Sequence, residues 1–184
     1  MKSRLLYALF SAVVLCSGYA YAAEDYGIQA GNSELAATIQ SISSKSSAAG
    51  SQESTITMVY ASYGYFWSKN LQIGAGLFIS GQKAGSSDSQ NTQISPFAKY
   101  HFFFDNPKYV PYVGASFLSG SAKSAGSTMT ISGYELQGGV DVFIDRNVAI
   151  AFELGVGSQK YSTSGGGSTD YSSTAIRIPL KVYF

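Results

Sequence analysis

Seven charged side chains fall in stretches where every second residue is apolar: Glu34, Glu135, Asp141 and Glu153 against Lys99, Arg177 and Lys181. Carboxylates and cations spaced in this way, all in phase with polar neighbours, share one interior. There they either neutralise one another as ion pairs or line a polar pathway, since buried charge persists only when paired and hydrogen-bonded. His101 is the sole histidine and the natural candidate for acid–base work. It precedes Phe102-Phe103-Phe104 close to a short turn and points inward, so it reads as a satisfied interior histidine rather than a catalyst. One histidine without cysteine partners is a poor metal set. Cys16, the only cysteine, lies in an N-terminal apolar run, leaving nothing downstream for thiol catalysis or disulfides. No catalytic, cofactor-binding or metal site is expected.

The elements that carry these charges are strands. In 175–184, Ile176, Ile178, Leu180, Val182 and Phe184 alternate with Arg177, Lys181 and Tyr183. A period of two gives a strand one apolar and one polar face. The same division recurs along the chain. Leu71, Ile73, Ala75, Leu77 and Ile79 oppose Gln72, Gly74, Gly76 and Ser80, and Val148, Ile150, Phe152, Leu154 and Val156 oppose Ala149, Ala151, Glu153 and Gly155. Ile94, Ala98 and Tyr100 oppose Gln93, Ser95, Lys99 and His101; Tyr134, Leu136, Val140, Val142 and Ile144 oppose Glu135, Gln137, Gly139 and Asp141. Val113, Ala115 and Phe117 oppose Tyr112, Gly114 and Ser116. Leu35, Ala37 and Ile39 oppose Glu34, Thr38 and Gln40, and in the mixed stretch 55–66 the outward set is Val59, Ala61, Tyr63 and Tyr65.

The apolar faces of these strands hold no Lys, Arg, Asp or Glu. A barrel in water shows its charges outside, whereas a membrane barrel turns them inward, because a midplane Arg or Lys on the lipid side costs about 2–4 kcal/mol. Charged residues make up 12% of the 184-residue chain and aromatics 14%, against about 25% charged for soluble domains. No apolar run after the N-terminal one is long enough for a membrane helix, so the membrane reading is a barrel. Tyr63, Tyr65, Trp67, Phe102, Phe104 and Tyr109, joined by Phe184, collect beside the short turns as an interfacial girdle.

Connections alternate in kind. Short turns fall at Ser68-Lys69-Asn70, Asp105-Asn106-Pro107-Lys108 and Asp145-Arg146-Asn147; stretches poor in apolar residues fall at Ser43–Gln52, Gly81–Asn91, Gly120–Ser127 and Gln159–Ser172. Three turns and four long loops join eight strands, with short turns and both termini on the periplasmic side. The Ser/Gly-rich loops, with Tyr161 and Tyr171 in the last, are the expected place for any surface ligand. Pro96 and Pro179 interrupt strands, and each marks a bulge or a gap in pairing. Lys2 and Arg4, the apolar run from Leu5 to Leu15 and Ala20-Tyr21-Ala22 read as a secretory leader, residues 1–22, leaving 23–184 as the barrel domain. Removing Lys2 and Arg4 leaves ten basic and eleven acidic side chains, a net charge of −1, which gives nucleic acid no basic patch.

The stretch Tyr63-Gly64-Tyr65-Phe66-Trp67-Ser68-Lys69-Asn70-Leu71-Gln72-Ile73-Gly74 resembles the strand–turn–strand of OmpA/OmpX-type outer-membrane β-barrel domains. Gly139-Val140-Asp141-Val142-Phe143-Ile144-Asp145-Arg146-Asn147-Val148-Ala149-Ile150 repeats the pattern. Pro96-Phe97-Ala98-Lys99-Tyr100 with Pro111-Tyr112-Val113-Gly114-Ala115 resembles the hairpin between. The final strand, through Ile176, Ile178, Leu180, Val182 and Phe184, resembles the signal read by the barrel-assembly machinery. The resemblance covers essentially the whole chain after the leader. It implies an all-β, eight-stranded antiparallel up-and-down transmembrane barrel, exported through the periplasm to the Gram-negative outer membrane, monomeric, and in contact with lipid and lipopolysaccharide. It implies no particular activity. The peptidoglycan-binding domain of longer members has no counterpart here. The expected function is non-enzymatic, structural or surface-interacting, adhesion included, with a side-chain-filled lumen. The alternatives are a narrow pore for ions or small solutes and, third, a lipid A-modifying enzyme using His101.

Overall fold

The computed structural model describes residues 26–44, 54–84, 87–104, 106, 108–124, 127–163 and 166–184. The proposed leader, 1–22, lies outside them. Period-two alternation produces strands throughout: β1 (Ser33–Ser44), β2 (Ser54–Phe66), β3 (Leu71–Ala84), β4 (Ser87–His101), β5 (Tyr109–Ser124), β6 (Ser127–Asp145), β7 (Val148–Thr163), β8 (Ser168–Arg177) and β9 (Leu180–Tyr183). Each strand from β1 to β7 pairs antiparallel with the next. β7 then pairs with both β8 and β9, and β9 returns to β1 through Glu34↔Tyr183 to Ala37↔Leu180. β8 and β9 are two lengths of one barrel strand, so the sheet closes as an eight-stranded, all-antiparallel, up-and-down barrel.

The short turns are tight and polar. Ser68 Oγ accepts a bond from the Leu71 N–H at 3.1 Å, and Asp145 Oδ1 accepts one from the Arg146 N–H at 2.7 Å. Ahead of β1, Gly31 has φ of 90°, a left-handed turn that favours glycine, and its N–H bonds the Phe66 carbonyl at 2.9 Å.

Inward and outward faces follow the alternation on every strand. Gln72, Gln93, Ser95, Lys99, His101, Glu135, Gln137, Asp141 and Glu153 are buried. Ile73, Leu77, Ile94, Val113, Leu136, Phe152 and Leu154 are exposed on the outer wall, with no charged side chain among them. A wall of this composition suits hydrocarbon and not water. Val182, on the outward register beside Leu35 and Val148, is an exception, buried to 1%.

The long loops expected from the sequence are mostly strand. Gly81–Ala84 continues β3 and Ser87–Asn91 begins β4; Gly120–Ser124 continues β5; Gln159–Thr163 and Ser168–Ser172 are strand as well. Ser43 and Ser44 end β1, and 45–53 fall outside the described residues. The reason is physical. Where a hairpin rises into water on both sides, neither face needs apolar residues, so the alternation fades while the backbone ladder continues. Lys160 and Asp170, register partners on β7 and β8, are both exposed on the outer side of that extension. Tyr161 and Tyr171 belong to the same two strands, their rings edge to face at 5.2 Å.

Both prolines open the ladder. The β4–β5 pairing runs to Ile94↔Ser119 and resumes at Phe97↔Ser116, skipping Pro96. Pro179 parts β8 from β9. Beyond that break β8 pairs with β7 alone, and β1 above Ala37 pairs only with β2, so the seam between the first and last barrel strands carries no ladder there among the described residues.

Candidate functional site

The inward charges form two tiers. In the first, Arg177 stands opposite its register partner Glu153, and its Nη1 donates to Glu153 Oε1 at 2.7 Å. The same guanidinium reaches Glu135 on β6 through two bonds, Nη1 to Oε1 at 2.8 Å and Nη2 to Oε2 at 2.5 Å. This fork-to-carboxylate geometry is what arginine provides and lysine does not. Glu153 is held from its other side by the Tyr112 hydroxyl at 2.8 Å and the Lys99 ammonium at 3.5 Å. Rings cover the cations: Lys99 Nζ lies 4.8 Å from the Phe97 centroid and 5.0 Å from that of Tyr112, and Arg177 lies 5.4 Å from Tyr60. Gly155 makes room for this tier, since a Cβ there would stand 2.8 Å from Glu135 Cδ.

The second tier lies nearer the short turns. Lys181 Nζ is 2.7 Å from Asp141 Oδ1 and 3.5 Å from Glu34 Oε2, with all three side chains fully buried. Tyr183 donates its hydroxyl proton to Asp141 Oδ2 at 2.8 Å. His101 is interior, as its phase predicts, but it is not the satisfied histidine expected. Neither ring nitrogen has a hydrogen-bond partner among the described residues, and Nε2 stops 3.7 Å from Asp141 Oδ2. Packing positions it instead, with ring centroids 5.1 Å from Phe66 and 5.4 Å from Tyr112.

Glu34, His101 and Asp141 each offer one ligand atom within 4.8 Å of the others. The Lys181 ammonium already stands against both carboxylates, so a metal ion would have to displace a fixed cation. The donor set fits an ion pair better than a metal.

Below the second tier the lumen is closed by an apolar floor of Ile28, Phe66, Val110, Phe143, Ala149 and Tyr183, packed by Tyr26 and Phe103. Phe143 touches Tyr183 at 5.2 Å and Tyr26 at 5.0 Å between centroids. Above Arg177 the barrel opens: a cavity of about 450 Å³ rests on Arg177 and Glu135. A second of about 550 Å³, lined by Tyr161 and Tyr171, continues it into the mouth. The lumen is a cup with a sealed bottom.

All seven charges picked from the sequence meet in this lumen. Tyr60, Phe66, Tyr112, Phe143 and Tyr183, which seal and solvate it, were not singled out as site residues. The available signal was phase: Phe66 follows Ser62 and Gly64 on the inward face of β2, and Phe143 follows Asp141 on β6. The girdle residues Tyr63, Tyr65, Trp67, Phe102, Phe104 and Tyr109 are all exposed, Trp67 to 71%. Of the final-strand set, Ile176 is in β8, Leu180 and Val182 are in β9, Ile178 lies in the break and Phe184 follows β9; the interruption falls at Pro179, where the sequence predicts a bulge or gap, because proline has no N–H to give the ladder.

No family model matches the chain, and no curated protein matches it. Among solved structures it is similar to the outer membrane protein OprG from Pseudomonas aeruginosa, with a TM-score of 0.58 and 13% identity over 88% of this chain and 99% of that one. It is also similar to Neisserial surface protein A, with a TM-score of 0.55 and 21% identity over 84% of this chain and 98% of that one. With every strand antiparallel to its neighbours and the last returned to the first, the chain has the fold of the small eight-stranded outer-membrane barrels.

Proposed function

We propose that this protein is an integral outer-membrane barrel, monomeric and non-enzymatic, which acts through its rigid wall and raised hairpins and not by passing solutes. The observation that carries this reading is the lumen filled by side chains from Arg177 down to the aromatic floor. An ion crossing the barrel would have to part Arg177 from Glu135 and Glu153, pass the Lys181 tier and then displace the aromatic floor. The charge-free apolar wall and the exposed aromatics beside the short turns support contact with outer-membrane lipid and lipopolysaccharide. Strands that continue above the apolar band give a stiff platform for a surface ligand. A lipid A-modifying role through His101 finds no support, because that ring is fully buried within the second tier, beside Asp141.

The test is single-channel recording of the purified barrel in planar bilayers. The expected result is no stable unitary conductance. A steady conductance that changes when Arg177 or Glu153 is neutralised would overturn the sealed reading and establish the narrow pore. Recovery of the chain as a soluble periplasmic protein would overturn membrane residence.

A further inference from the structure

The seam beside Pro179 gives the lumen a second opening, through the wall. The cavity above Arg177 is lined on one side by Thr38 and Gln40 of β1 and on another by Thr174 and Ile176 of β8. Thr174 and Ile176 are on the outward register of β8, so the cavity reaches the outer surface where the two strands fail to pair. Ile176 is 76% exposed, the highest among the large apolar side chains of the wall. On neighbouring β7 the outward apolar run is Val148 to Val156, and Val156 is the register partner of Thr174. The opening therefore sits at the outer-leaflet end of the apolar band.

We propose that this seam is a lateral portal, through which an uncharged single-chain amphiphile enters the lumen cavity from the outer leaflet and binds there. The inference rests on the membrane reading above. Three features define the ligand. Unpaired strand edges at membrane depth are tolerated only where they line a polar or wet cavity, so the groups at the seam call for a hydrogen-bonding head. Thr38 Oγ1 and Ser173 Oγ, both lining the cavity, are buried without hydrogen-bond partners. Met58, Phe78 and Leu118 form an apolar patch within the same cavity, suited to a hydrocarbon chain. The head must be neutral, because the charges of Arg177 and Lys99 are already balanced by Glu135 and Glu153, and a further charge there would be buried unpaired. At about 450 Å³ the cavity has the size of a small-molecule site.

The test is photolabelling of the full chain folded in phosphatidylcholine vesicles, with decanol carrying a diazirine at the chain end as probe. Labelled residues are mapped by mass spectrometry. The expected pattern is label on outward Leu136 and Phe152 and also on inward Met58 and Phe78. Unlabelled decanol should reduce the inward label about tenfold and leave the outward label unchanged. Ala175→Trp, which plugs the seam, should remove the inward label; Ser116→Phe fills the same cavity from β5 and serves if the first variant does not fold. Outward label with none inside, or inward label that decanol does not compete, overturns the portal and leaves the membrane reading intact. Absence of label on Leu136 and Phe152 as well overturns the membrane reading itself.

Discussion

Arg177→Met is the most revealing single perturbation of the lumen. Its guanidinium makes three charged hydrogen bonds, at 2.8, 2.5 and 2.7 Å, two to Glu135 and one to Glu153. Charge-assisted bonds contribute roughly 1.5–3 kcal/mol each, but they share one donor group, so their sum overstates the loss. The consequences for the two carboxylates differ. Glu153 keeps Tyr112 and Lys99, whereas Glu135 loses the only ion-pair partner it has among the described residues. Breaking a buried pair costs about 3–5 kcal/mol, chiefly through the charge left behind, and Glu135 is where that penalty falls. Hence Glu135→Gln should relieve most of the damage done by Arg177→Met, while Glu153→Gln should relieve little. The assay is urea unfolding of the refolded barrel, followed by the fluorescence of Trp67, its only tryptophan. Double-mutant cycles should give a coupling above about 2 kcal/mol for Arg177 with Glu135, and a smaller one for Arg177 with Glu153. Equal couplings, or additivity in both cycles, would refute the assignment of Glu135 as the dependent partner.

Four further outcomes follow from the same geometry. Leu154→Arg, on the exposed wall, should lower stability by about 2–4 kcal/mol, whereas Lys160→Ala, above the apolar band, should change it little; both are read by the same unfolding assay. Gly155→Ala should push Glu135 away from Arg177, reproducing part of the Arg177→Met loss at about 1–3 kcal/mol. Tyr183→Phe leaves Asp141 Oδ2 without its hydroxyl donor and should cost about 1–3 kcal/mol in the same unfolding. Phe143→Ala, which thins the floor, should lower stability by about 3–5 kcal/mol without producing stable conductance, because both charge tiers remain; bilayer recording checks the second half.

Much of this molecule was legible in its alternation. The membrane barrel and the inward phase of the seven charges follow from which face of each strand lacks charge, and the strand number from the alternation of three short turns with four polar stretches. The pairing of Glu153 with Arg177 follows from their places on adjacent strands, both in the inward phase and at similar distance from the periplasmic side. Two things were not legible. The raised hairpins look like loops because a strand wetted on both faces has no apolar period. The partnership of Arg177 with Glu135 crosses an intervening strand, and reach of that kind depends on barrel diameter and on a glycine at 155, not on local pattern. Pro179 announced a gap in pairing, but only the register of β9 against β1 shows on which side of the break the barrel remains laddered.

The order in which contacts become available gives the lumen network a kinetic meaning. Every hairpin from β1 to β7 joins strands adjacent in sequence and closes a short loop, so it can zip as the chain is laid down. The two tiers are different: Arg177 meets Glu135 across 42 residues, and Tyr183 meets Asp141 across 42. Lys181 meets Glu34 across nearly the whole barrel. None of these bonds exists until the final strand has docked in the correct register. Interactions absent from the folding transition state slow unfolding and leave the folding rate almost untouched. The ion pairs thus act as a latch on the finished barrel. A strand docked out of register would present Ile176 or Leu180 to the carboxylates in place of Arg177 or Lys181, and nothing would hold it.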